Sequence, residues 1–126
     1  MDEQQAIEQD FLVSWDYIER HFTFYMSFEG WEWLSPIHHF IAQLRERGYD
    51  KQLRAGQSLL LFILSRSRQH GLRSEQACLF VELLREGGMT VYYSDSSEKI
   101  TIEMQSIELT KELEELIARL LAQPID

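Results

Sequence analysis

Few residues in this chain have the type and spacing that chemistry requires. His38 and His39 form the only adjacent histidine pair. Neighbours on a helix point about 100° apart, so the two imidazoles cannot close on one metal ion. Chelation along a helix would need a ligand one turn further on, and Ala42 and Gln43 stand there. No HExxH or CxxC pattern occurs. Cys78 is the single cysteine, which rules out an intrachain disulfide. A thiol near a helix start can be activated, but Leu79 and Phe80 beside it point to burial and inertness. To serve as a nucleophile it would need a base such as His70, delivered by the tertiary fold. "RAGQS" has one glycine and no lysine, so it is no phosphate loop. Glu29/Glu32 and Glu114-Glu115 fit solvated faces better than acid/base pairs. These residues lead us to expect no catalytic residue, cofactor or metal.

Binding is better represented. Phe22–Trp33, "FTFYMSFEGWEW", holds six of the fifteen aromatic residues, and ten of the fifteen fall between Phe11 and Phe40. A small domain seldom buries so many completely, so some should line a groove or an interface. Charge is segregated as well. Residues 1–44, 45–73 and 74–126 carry net −7, +5 and −7, which gives −9 overall. The bland reading is a fold that neutralises itself, and the sharper one is a basic segment that attracts a partner. Arg66, Arg68 and Arg73 in "SRSRQHGLR" form the densest basic patch. At the end of a helix they would complement its negative pole.

The elements that must position these residues read as follows. Residues 3–21 read as a helix, because Phe11, Trp15, Ile18 and the next residue on, Phe22, are spaced four, three and four. Residues 22–28 can continue that helix or form a strand. Phe22, Phe24, Met26 and Phe28 alternate with Thr23, Tyr25, Ser27 and Glu29, and that alternation favours a strand with the first set facing the core. Ser35-Pro36 to Gly48 reads as a helix. Residues 50–71 read as a longer one, apolar nearly all round at Leu59–Leu64. Residues 74–88 read as a helix opened by Ser74 and stopped by Gly87-Gly88. Val91 and Tyr93 on one side of "SDSSEK", with Ile100, Ile102 and Met104 on the other, predict a hairpin over 89–104. A helix with Leu113, Leu116, Ile117, Leu120 and Leu121 on one face closes the chain.

The sum is an α+β fold: about five helices packed with a small antiparallel sheet, in one globular domain spanning 1–126. The longest apolar run, six residues, is too short to span a bilayer, and the start is acidic where a signal peptide is expected to be basic and then apolar. We therefore expect a soluble, cytoplasmic, non-catalytic domain that binds a protein, its own copy or another. Tyr25, Trp31 and Trp33 would be its contact residues, and Arg66, Arg68 and Arg73 would contribute charge. A small-molecule or anion site in the same region is the alternative. A winged helix-turn-helix, with 74–86 as recognition helix and 89–104 as wing, matches the order of elements. The acids Glu75, Glu82, Glu86, Asp95 and Glu98 argue against it, because they would repel phosphates.

Overall fold

Asp2 starts the first helix. Its carboxylate accepts the Gln5 N–H at 2.8 Å, and the Gln5 side chain accepts the Asp2 N–H at 3.0 Å, which satisfies two orphan donors reciprocally. The computed structural model of the protein describes residues 1–68 and 75–126. Helix α1 runs Glu3–Met26, α2 Pro36–Glu46 and α3 Lys111–Leu121. Short 3₁₀ turns occupy Glu32–Leu34 and Tyr49–Lys51. Between α2 and α3 lie β1 (Arg54–Ser58), β2 (Leu61–Ser65), β3 (Cys78–Leu83), β4 (Met89–Ser94) and β5 (Lys99–Met104). They form one antiparallel sheet in chain order, each strand paired with the next.

The fold is thus α+β with three α-helices and a five-stranded sheet, which corrects the expectation of five helices and a small sheet. Residues 22–28 are no strand: α1 continues to Met26, and Thr23 donates its hydroxyl to the Glu19 carbonyl, a bond that fits helix. Residues 50–71 are no helix: they hold the β1–β2 hairpin, turned at Leu59-Leu60. That turn has no Gly, Asn or Asp to signal it, and Leu59 itself adopts the positive φ, 55°. Residues 74–88 are no helix either. Cys78–Leu83 is a strand, and Gly87 and Gly88 turn it into β4 at φ 108° and 86°. The recognition helix of a winged-helix reading is therefore absent. The hairpin over 89–104 is present as β4 and β5.

The register explains why 59–64 misleads. Phe62 and Leu64 face the helices, opposite Val81 and Leu79. Ile63 lies on the other face, in a row with Gly56, Phe80 and Tyr92. Both faces are apolar, so the period of two is hidden. Phe62 is wholly buried beneath Trp15, Phe22 and Phe40, with ring centroids 5.8, 6.5 and 6.4 Å away in edge-on geometry. Ion pairs tie the helices to one another and α3 to the sheet. Arg45 bonds Asp16 and Glu19 of α1 and the buried Asp50, and Arg47 pairs with Glu114 of α3. Arg119 of α3 lies 5.0 Å over the Tyr93 ring and bonds Asp95 and Glu98 in the β4–β5 turn.

Tyr93 donates to Asp95 at 2.6 Å. That bond, with the N–H groups of Glu98 and Ser97, draws the Asp95 carboxyl down to about 2. Burial, with Asp95 alongside, pushes the Tyr93 hydroxyl up to about 12. A depressed carboxyl stabilises the fold above its unfolded value, 3.8, and that contribution is lost as pH falls through about 2. Asp95→Asn should therefore be less stable than wild type near neutral pH, and the gap should narrow as urea unfolding is repeated from pH 3.8 towards 2. The register makes a second prediction. Phe62→Ala should cost about 3–5 kcal/mol in urea unfolding, and Phe80→Ala, on the open face, roughly 1 kcal/mol.

Candidate functional site

Helix α1 carries two apolar stripes. Phe11, Trp15, Ile18 and Phe22 are buried against the sheet. Val13, Tyr17, Phe24 and Phe28 fall roughly opposite, at about 100° per residue, with Phe28 just past the helix end. They are 53%, 56%, 60% and 46% exposed. Scattered exposed apolar residues are ordinary, but four large ones along a single helix face form a patch.

The patch is ordered by ring contacts. Tyr17 stacks on His21 with centroids 6.2 Å apart, and His21 meets Tyr25 edge-on at 4.5 Å. Tyr25 stacks on Trp31 at 5.6 Å and 25°. Phe28 joins Trp31 at 6.3 Å and Phe24 at 5.1 Å. The rings thus form one chain from the middle of α1 to the loop beyond it. Beside the same helix, α1 and β1 enclose a cleft of ≈ 800 Å³, lined by Asp10, Val13, Tyr17, Arg54, Ile63 and Arg68 among others. Tyr17 belongs to both the cleft and the ring chain.

The residues singled out from sequence are placed as follows. Tyr25 and Trp31 are half-buried within the ring chain. Trp33 is half-buried, with Arg85 5.5 Å over its ring; its Nε1–H is buried with no partner among the described residues. Phe24 and Phe28, assigned to the core, are exposed instead. Continuing the helix through residue 26 turns them away from the sheet. Arg66 donates to the backbone carbonyls of Gln123 and Gln52, and Arg68 pairs with Asp10 at 2.9 Å. Arg73 and His70 lie outside the described residues. The structure therefore joins Tyr25 to Trp31, and holds Arg66 and Arg68 in bonds within the chain. Sequence reading missed Val13 and Tyr17, although their four-residue spacing was available.

The remaining chemical candidates are quiet. Among the described residues no three His, Cys, Asp or Glu side chains are grouped to hold a metal ion. His38 Nε2 lies 3.2 Å from the Thr23 hydroxyl, and His39 is exposed. Cys78 is buried, and burial pushes its thiol up rather than towards a reactive thiolate. No described helix is long and apolar enough to cross a membrane. No protein-family model, curated protein or solved structure matches this chain. Cys78 should resist a thiol-specific reagent near neutral pH in the native state and react fully in denaturant. Rapid native reaction would mean an accessible thiolate.

Proposed function

We propose that this chain is a non-catalytic domain that binds another protein through the outer face of α1. The observation that carries the reading is the second apolar stripe, Val13, Tyr17, Phe24 and Phe28, left in water by a helix whose other stripe already fills the core. Aromatic side chains supply large contact area at low entropic cost, which suits them to an interface centre. Tyr25 and Trp31 back the stripe from within the ring chain and hold its geometry. The partner should offer an apolar surface with basic groups facing Glu29 and Glu32, exposed acids beside Phe28 and Trp31, because Asp10, Asp16 and Glu19 are already paired within the chain. The single buried thiol fits a reducing compartment, and we assign the domain to the cytoplasm.

A small-molecule reading has one observation in its favour, the cleft between α1 and β1. A metabolite that raises the melting temperature of wild type but not of Tyr17→Ala would support it.

The protein-binding reading is tested with Phe24→Ser/Phe28→Ser. Removing exposed side chains should leave stability within about 1 kcal/mol of wild type. A protein recovered with wild type, then purified and titrated, should bind the double variant at least about tenfold more weakly, equal to ~1.4 kcal/mol. Equal affinity would overturn the stripe as the interface, and a loss of several kcal/mol of stability would show that the stripe is structural.

A further inference from the structure

The two edges of the sheet are finished differently. In β1, residues 54, 56 and 58 bond to β2, so the backbone of Leu53, Ala55 and Gln57 turns outwards. Helix α1 covers that edge: Trp15 Nε1–H donates to the Leu53 carbonyl at 2.8 Å, and the Ser14 hydroxyl accepts the Ala55 N–H at 3.0 Å. At the other edge, the Asp95 N–H donates to the Glu98 carbonyl at 3.0 Å. Alternation from that pair makes Tyr93/Ile100, Val91/Ile102 and Met89/Met104 the bonded pairs of β4 and β5. The Leu84 N–H to Gly88 carbonyl bond sets the same phase from the β3 side. Lys99, Thr101 and Glu103 therefore turn N–H and C=O groups away from the sheet. All three are exposed, and no described residue bonds to those groups. Ile100, Ile102 and Met104 on the helix side are only half-buried, so the core is unfinished along this edge. An edge of this kind is a template for another strand.

We propose that the chain forms a two-fold dimer by pairing β5 antiparallel with β5 of a second copy, Thr101 opposite Thr101. The choice of occupant rests on self-complementarity. In this register Lys99 stands opposite Glu103 of the second copy, and Glu103 opposite its Lys99. Opposite charges and paired threonines are favourable cross-strand neighbours. Ile100 and Ile102 meet across the axis on the helix side and cover each other's exposed flanks. The three outward residues of each strand are those the new ladder requires. Shifting the register by one step leaves a charge opposite threonine, and a further step sets lysine against lysine or glutamate against glutamate. The pairing closes on itself, as an isologous contact must, and leaves the α1 face free. It is short, so association should depend on concentration and weaken with salt.

The test is sedimentation equilibrium of the full chain at increasing concentration, with circular dichroism confirming that each variant is folded. Wild type should move from 15.0 kDa towards twice that mass. Lys99→Glu alone and Glu103→Lys alone should each dissociate at least about tenfold more readily, since each creates two like-charge pairs. An equimolar mixture of the two single variants should regain the dimer, because every pair across that interface is again opposite in charge. Thr101→Pro removes only an outward N–H and should give a folded monomer. A wild type that stays at 15.0 kDa throughout, or a dimer indifferent to all these changes, overturns the proposal. A dimer lost in Phe24→Ser/Phe28→Ser but kept in Lys99→Glu overturns it too, and moves self-association to α1.

Discussion

Phe62 is where the two layers of this protein are joined. Its ring sits on β2 and receives edge-on contacts from Trp15 and Phe22 of α1 and Phe40 of α2. Once that ring faces the helices, strand alternation sends Leu64 the same way and Ile63 the other. The register then carries this parity across Val81, Val91 and Ile102. A slip of one residue would put Ile63, Phe80 and Tyr92 under the helices and Phe62 in water. The burial of this one ring thus governs which side of a five-stranded sheet is core.

With one face covered, what remains is set by where the helices run. Helix α1 lies against β1 and uses Trp15 and Ser14 to satisfy that edge. Helix α3 packs against β3 and reaches the β4–β5 turn through Arg119. Among the described residues the edge of β5 receives neither kind of cover. The same placement of α1 turns a second apolar stripe outwards. Two surfaces are left over from one packing solution, an aromatic helix face and a bare strand edge, at opposite sides of the sheet.

Charge follows a similar logic. The basic run between residues 45 and 73 could neutralise the fold itself or attract a partner, and its arginines largely serve the fold. Arg45 gathers Asp16, Glu19 and Asp50, Arg47 takes Glu114, and Arg68 takes Asp10. An acidic N-terminal helix and a basic middle segment thus pair with each other at the rim of the core. The asymmetry in sequence was real, and its use is mostly internal.

Some of this was legible in the residues themselves. The stripe at Phe11, Trp15, Ile18 and Phe22, the Ser35-Pro36 start and the stripe from Leu113 to Leu120 each mark a helix by a period that only one-sided burial produces. The β4–β5 hairpin was marked by alternation on both sides of a polar turn. The β1–β2 hairpin was not, because its turn is Leu59-Leu60 and both faces of β2 are apolar. In β3 the spacing of Leu79, Phe80 and Leu83 imitates a helix, and Gly87-Gly88 serve a hairpin as well as they would a helix end. At Phe24 and Phe28 the local pattern allowed either state, and packing of α1 as one long helix chose between them. Sequence by itself determined which segments must bury an apolar face. Only tertiary structure decided which face, since that depends on partners such as Phe62 that lie far away along the chain.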